Sequence, residues 1–292
     1  RKLNCYAIDI GTNSVRLMYA EVKDGYISPV YKKLITARTG ENTAKTSLIN
    51  EQAFSRTVNA VIYFCDIIKN EDPAAPVFCF ATSAVRDAKN GELLAEHIKN
   101  KTGITVNILS GEKEAEIGFL GVVGEKSGAL LDIGGSTEIA FGENGIMQFQ
   151  KSVNIGAVRA KAMFLDDYKK TYEYSRSLFS SLPEIPFGVY ACGGTATTAA
   201  AMLQKLDVYD SSLINGFPLK REDIFNLSSM LCPLSIEKRA LFKGLQKQRA
   251  DIIPHGLMIL LAFLDEKQPK KIIASDCDNL EGYLIERLIK NK

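Results

Sequence analysis

Hydrophobic and polar residues change period several times along the chain, and the changes come in two rounds. Ala7-Ile8-Asp9-Ile10-Gly11 opens as an apolar strand and breaks at a glycine; Ser14 to Val22 resumes the strand pattern, and Asp24-Gly25 leads into Tyr26 to Tyr31. Leu130-Leu131-Asp132-Ile133-Gly134, Thr137 to Phe141, Asn144-Gly145 and Ile146 to Val153 repeat the plan. Asp-Gly and Asn-Gly favour two-residue hairpin turns because both central positions take positive φ. Each round predicts strand, tight glycine loop, strand, hairpin, strand.

After each round the pattern turns to alternating helices and strands. Phe54, Val58, Val61, Ile62, Cys65 and Ile68 fall on one stripe of a helix over Glu51 to Asn70. Pro73-Ala74-Ala75-Pro76 reads as a connecting loop. The strand Val77 to Ala81, a helix over Ala88 to Lys101, the strand Ile104 to Leu109 and a helix from Ser110 to Val123 complete the first half. The second half predicts helices over Ala157 to Phe164 and Tyr172 to Leu182, the strand Gly188 to Cys192 and a helix over Thr195 to Leu206. A helical region from Leu219 to Leu264, the strand Lys271 to Ser275 and a helix over Leu280 to Ile289 follow. The simplest architecture is two α/β domains with mixed sheets, 1–124 and 125–292, bordered near Val123 to Gly128. A return of the final helix, about 280–292, to the first domain is left open.

Composition narrows the chemistry. Of 292 residues, 46% are hydrophobic and 24% charged, the balance of a globular protein. Lys and Arg number 36 against 34 Asp and Glu, so a net charge of +2 points to neither a general nucleic-acid surface nor a membrane surface, and no partner of either kind is expected. The six cysteines are widely spaced without a CxxC pair, as for free thiols in a reducing cytoplasm. With His97 and His255 as the only histidines, a His-based metal site or a serine-histidine triad has little raw material. A metal is expected to be Mg²⁺ or another hard divalent cation held by carboxylates, phosphate and water. The first residues run straight into a strand pattern rather than a leader, and Leu257 to Leu264 is too short to span a bilayer, so a cytoplasmic protein is expected.

A tight glycine turn lets backbone N–H groups converge on an anion and lets phosphate approach closely. Gly11, Thr12, Asn13 and Ser14 form one candidate loop; Gly134, Gly135, Ser136 and Thr137 form the other, with the Ser14 and Thr137 hydroxyls as further donors. Asp9 and Asp132, at the strand ends, are placed to hold a hydrated Mg²⁺ against phosphate. One such loop is as readily a plain turn; two, each followed by a hairpin, favour phosphate binding. Gly193-Gly194-Thr195, where a strand meets a helix, suits an anion at a helix N-terminus, or simply close packing of strand on helix. Ala81-Thr82-Ser83-Ala84-Val85-Arg86 offers hydroxyls and a guanidinium that could fork onto phosphate, while Arg159 and Lys161 add positive charge that a plain surface would also carry. Glu114 shares a helical face with Gly118 and Gly121, so this glycine stripe could bring it into a tight interdomain cleft; a solvated carboxylate is the plainer reading. His255 reads as a helix-entry residue rather than a catalyst.

Together these segments resemble the Ppx/GppA phosphatase family, the exopolyphosphatases and guanosine pentaphosphate phosphohydrolases of the actin and sugar-kinase superfamily. The likeness runs in order through Asp9 to Ser14, Ala81 to Arg86, Ser110-Gly111-Glu112-Lys113-Glu114-Ala115, Asp132 to Glu138, Gly193 to Thr197 and Arg249-Ala250-Asp251-Ile252-Ile253-Pro254. It implies two ribonuclease H-like (actin/sugar-kinase-like) domains around a cleft, and Mg²⁺-assisted hydrolysis of terminal phosphoanhydrides of inorganic polyphosphate or pppGpp. It also implies that Glu114 matches the general base, and that Asp132 and Glu138 match carboxylates serving magnesium and the phosphate site. The second loop has two glycines where the family usually has three, and Ser275 to Gly282 replaces a glycine-rich stretch of relatives. Two other readings stay open: an ATP-dependent small-molecule kinase of the same fold, and a non-catalytic regulator that binds polyphosphate or (p)ppGpp. A homodimer is left open as well.

Overall fold

β1 (Leu3–Ile10) reads as a nearly unbroken apolar run because both of its faces are covered. Tyr6, Ile8 and Ile10 pack on one side with Val58, Val61, Phe64 and Ile68 of the Glu51–Glu71 helix. Cys5 and Ala7 pack on the other side with Leu280, Tyr283 and Leu284 of the Asn279–Ile285 helix. β1 is the central strand of a five-stranded sheet, β3-β2-β1-β4-β5, formed with β2 (Val15–Lys23), β3 (Tyr26–Ile35), β4 (Val77–Ala81) and β5 (Val106–Ile108). Pairing is antiparallel on the β2–β3 side and parallel on the β4–β5 side.

A second sheet has the same plan. β6 (Gly128–Ile133) is its centre, with β7 (Thr137–Glu143) and β8 (Ile146–Val153) antiparallel on one side, and β9 (Val189–Cys192) and β10 (Ile272–Ala274) parallel on the other. The two hairpin turns match in detail: φ is +51° and +85° at Asp24 and Gly25, and +52° and +76° at Asn144 and Gly145. Each sheet also shifts register at the corresponding place, between Tyr19 and Ala20 in β2 and between Phe141 and Gly142 in β7. The repeated sequence pattern is therefore a repeated structure.

This is a computed structural model that describes residues 2–290. They fall into two units: residues up to Gly121 with those from Asn279 onward, and Val122–Asp278. The last helix, Asn279–Ile285, continues as π-helix through Lys290; the end of the expected final helix, 291–292, lies outside the described residues. Each unit has its own buried core.

Local chemistry moved several expected boundaries. The helix expected from Tyr172 begins at Tyr168, because the Asp167 side chain caps the Lys170 N–H. The expected helical region over Leu219 to Leu264 divides into Arg221–Leu231, Ile236–Arg239, a 3₁₀ turn at Lys247–Arg249 and Ile253–Lys267. Gly244, at φ +82°, makes one of the intervening turns, and Pro254 falls in the first turn of the last helix, where a missing N–H costs nothing.

Candidate functional site

In the first unit, the loop after β1 closes with the Gly11 N–H donating to the Ser14 carbonyl at 3.0 Å. Strand pairing places Asp9 opposite Arg16. Arg16 Nε donates to Asp9 Oδ2 at 3.2 Å, and its Nη2 also reaches that oxygen. The loop is joined to the segment after β4: Thr82 N–H donates to the Ile10 carbonyl at 3.2 Å, and the Thr12 and Ser83 hydroxyls share a buried hydrogen bond of 2.9 Å. The one-turn helix Ser83–Arg86 then carries Arg86 to Glu114, where Nη1 meets Oε2 at 2.8 Å and also donates to the Leu109 carbonyl at 3.1 Å. The Asn13 side-chain amide donates to Ser14 Oγ at 3.2 Å.

Glu114 is only 6% exposed, so the plain surface reading fails. It lies in the first turn of the Gly111–Val122 helix, where a carboxylate is favoured by the helix dipole. The glycine face meets another backbone closely, as expected of it. A β-carbon on Gly282 would fall 1.8 Å from the Ile117 carbonyl oxygen and 2.9 Å from the Gly121 nitrogen, so the backbone that meets this helix belongs to Asn279–Ile285 in the same unit.

In the second unit, the shorter loop closes with Gly134 N–H donating to the Ser136 carbonyl at 2.9 Å. Asp132 faces Glu138 across the ladder, in the position that Arg16 holds opposite Asp9. Glu138 Oε1 accepts from Ser136 Oγ at 2.6 Å and from Ser152 Oγ at 2.7 Å. Thr137, expected to donate to phosphate, instead gives its hydroxyl proton to the Ile155 carbonyl at 2.6 Å and is fully buried, so it braces the loop. Arg159 Nε lies 3.4 Å from the Gly135 carbonyl, and Lys161 is ion-paired with Asp251 at 2.5 Å.

The third glycine segment packs against the second. Gly193 has φ +80°, and a β-carbon there would fall 2.4 Å from Asp132 Oδ1. A β-carbon on Gly194 would fall 1.8 Å from Arg249 Nη1, so the missing side chain admits the guanidinium. Thr195 is buried against Gly256. The helix Gly193–Leu203 starts without a side-chain cap, leaving the N–H groups of its first turn without an intrahelical partner. Asp132, Gly134, Gly135 and Gly193 thus make one cradle, and Thr12, Ser83, Arg86 and Glu114 are linked by two hydrogen bonds through one short helix, while Asp9 bonds to Arg16. Sequence reasoning missed Arg16 and Ser152. Both become visible once strands are paired outward from each loop, because register alone brings them to Asp9 and Glu138.

Among the described residues, no cluster of three or more His, Cys, Asp or Glu side chains makes a ready metal cage. Asp132 with Glu138 fits the looser demand of Mg²⁺, which takes one or two carboxylates and completes its shell with water and phosphate. Asp9, expected as a third ligand, has the Arg16 cation against it.

Comparisons with known proteins identify the family and the fold. The family model for the Ppx/GppA phosphatase family matches residues 18–291. The bifunctional 3-dehydroquinate synthase/phosphatase of Fusobacterium nucleatum is 35% identical over 98% of this chain, which spans only 46% of that protein's length. Exopolyphosphatase 2 of Mycobacterium tuberculosis is 27% identical, over 96% of this chain and 97% of its own. The crystal structure of the Aquifex aeolicus Ppx/GppA family member superposes with a TM-score of 0.82 at 26% identity, covering 100% of this chain and 99% of that one. The folds are the same, two ribonuclease H-like units of the actin and sugar-kinase kind. With the family model spanning nearly all of the sequence, the chain belongs to the Ppx/GppA phosphatase family.

Proposed function

We propose that this chain hydrolyses terminal phosphoanhydride bonds of inorganic polyphosphate and of pppGpp, with Glu114 as general base and Mg²⁺ as cofactor. One observation carries the reading. Buried Glu114 is held by Arg86, and the Arg86 segment is hydrogen-bonded to the first glycine loop, so a base and a phosphate-binding loop belong to one network. The full-length likeness to a protein named exopolyphosphatase supports polyphosphate as substrate. The motif resemblance to guanosine pentaphosphate phosphohydrolases supports pppGpp, whose terminal phosphoanhydride is chemically alike.

In this mechanism Glu114 orients a water and takes its proton as the water oxygen bonds to the terminal phosphorus. The bridging P–O bond breaks, and the shortened chain leaves with the electron pair. Arg86 fixes the carboxylate. Backbone N–H groups of the first glycine loop beyond Gly11, whose own N–H closes the loop, would meet charge on the phosphoryl oxygens, the kind of stabilisation that supplies most of the catalysis for such a loose transition state; in the second unit the Gly135–Ser136 backbone and the helix start at Gly193 to Thr195 would serve phosphate in the same way. Asp132 and Glu138 would hold the cation, which would neutralise phosphate charge. A cytoplasmic location is part of the proposal: the six cysteines are free, as in a reducing compartment, and no helix among the described residues is long and apolar enough to cross a membrane.

The test is phosphate release with Mg²⁺ from short polyphosphate, long polyphosphate, pppGpp and ATP, with no acceptor present. Release from polyphosphate without an acceptor separates hydrolysis from a kinase reaction. The Glu114→Gln variant is expected to keep phosphate-chain binding and lose roughly 10²–10⁴-fold in turnover. Near-normal turnover in that variant would remove the base assignment.

A further inference from the structure

A cavity of about 600 Å³ opens in the second unit away from the glycine loops, where the Arg221–Leu231 helix begins and the chain turns from the Ile253–Lys267 helix into β10. Its place in the sheet sets it apart. Asp132 pairs with Cys192 at the C-terminal ends of β6 and β9, whereas the cavity reaches Ile272, which pairs with Val189 at their N-terminal ends. Three residues of strand separate the two levels, about 10 Å at ~3.3 Å per residue.

Lys220, Arg221, Lys270 and Lys271 line this cavity, and Asp265 is the carboxylate among its lining residues. That carboxylate is already engaged: Arg221 donates to it through Nε at 2.8 Å and Nη2 at 3.1 Å, and the Tyr172 hydroxyl at 2.7 Å. Three lysines therefore surround the opening in a chain whose net charge is only +2. Pro218 and Pro269, which are not buried, give the cavity apolar surface above the buried Leu219, Leu264 and Ile272. The walls are fixed by main-chain bonds, Leu219 N–H to the Ile272 carbonyl at 3.1 Å and Ala274 N–H to the Phe217 carbonyl at 2.8 Å. Lys220 is the N-cap of the Arg221–Leu231 helix without a side-chain cap, and Glu222 and Asp223 in its first turn balance the helix's positive end, so the lysines carry the site's charge.

We propose that this cavity is a second ligand site, for an organic phosphate of nucleotide size. Its volume is that of a small-molecule pocket. The lysines neutralise phosphate and the proline surface takes an apolar ring, a part that inorganic polyphosphate lacks. The inference does not depend on the hydrolytic reading, because no residue is shared with the glycine loops.

The experiment is titration calorimetry of the full chain with ADP in the presence of EDTA, run alongside acetylation footprinting of lysines by mass spectrometry. ADP is expected to protect Lys220, Lys270 and Lys271 from acetylation. The double variant Lys220→Ala/Lys271→Ala, at exposed positions, should weaken this ADP site at least tenfold, while Asp132→Asn leaves it unchanged. Tripolyphosphate should bind the same lysines more weakly than ADP. Unchanged ADP affinity in the double variant, absence of protection, or tripolyphosphate binding as tight as ADP would each overturn the proposal, the last by showing that charge alone is recognised.

Discussion

His255 should make the second unit acid-labile by an amount that can be worked out in advance. The side chain is fully buried in the first turn of the Ile253–Lys267 helix, with Nδ1 in a 2.8 Å hydrogen bond with Thr171 Oγ1 and the ring 4.8 Å from that of Tyr168. Burial pushes its pKa down from 6.5 to about 4, opposed by the Leu165 backbone and Asp166 and aided by Lys161 and Arg239. The unfolded chain takes up this proton near pH 6.5 and the folded chain only near pH 4, so the stability contribution is full above 6.5 and is lost as pH falls toward 4. Between about pH 7.5 and about pH 4.5 the linkage amounts to about 2.5 kcal/mol. The assay is urea unfolding by circular dichroism across that range, for the natural chain and for His255→Asn, with hydrogen exchange identifying the transition of the second unit. Carboxylates that titrate in both proteins, such as Asp167 and Asp265, cancel in the comparison. The variant should lose about 2.5 kcal/mol less than the natural chain on acidification. Parallel curves for the two proteins would show that His255 does not carry this cost.

Three further outcomes follow from the site. Gly193→Ala places a side chain at φ +80° and 2.4 Å from Asp132 Oδ1, so a loss of about 1–2 kcal/mol from the strained backbone is expected in urea unfolding, together with at least a tenfold loss of phosphate release; retained activity would detach Gly193 from the cradle. Gly282→Ala drives a β-carbon against the Ile117 carbonyl and should cost the first unit about 1–3 kcal/mol, with lower activity as Glu114 shifts; a change within about 0.5 kcal/mol in unfolding would contradict the close approach. Chelation by EDTA should stop phosphate release and Mg²⁺ should restore it, with Glu138→Gln needing more Mg²⁺ for the same rate; equal metal dependence in the two proteins would separate Glu138 from metal binding.

What could be read in advance depended on whether the signal was local. The hairpins were legible because Asp24-Gly25 and Asn144-Gly145 encode their own backbone angles, and the repeat followed from them. The Glu51–Glu71 helix was legible from its apolar stripe, and Asn50 capping the Ala53 N–H fixes its start. Thr137 was misjudged because a hydroxyl beside a glycine loop can point either way, and only the Ile155 carbonyl, brought in by the turn after β8, decides it. The glycine face of Gly111–Val122 was read correctly as a place of close approach, but its partner is Gly282, which sequence distance conceals. Arg16 was overlooked because it looks like an ordinary strand residue until the ladder sets it opposite Asp9.

A duplicated module begins with two interchangeable copies, and interchangeability ends at the first position where they differ in sign. Here that position lies across the ladder from each loop aspartate: a cation at Arg16 in one copy, an anion at Glu138 in the other. The first copy is self-neutralising and carries its counter-charge in the covalent chain. In the second, two carboxylates face each other instead, and on the proposed function that pairing is what would make phosphate release depend on Mg²⁺. Exchanging the two residues, Arg16→Glu with Glu138→Arg, would ask whether that dependence belongs to the loop or to a single inherited charge.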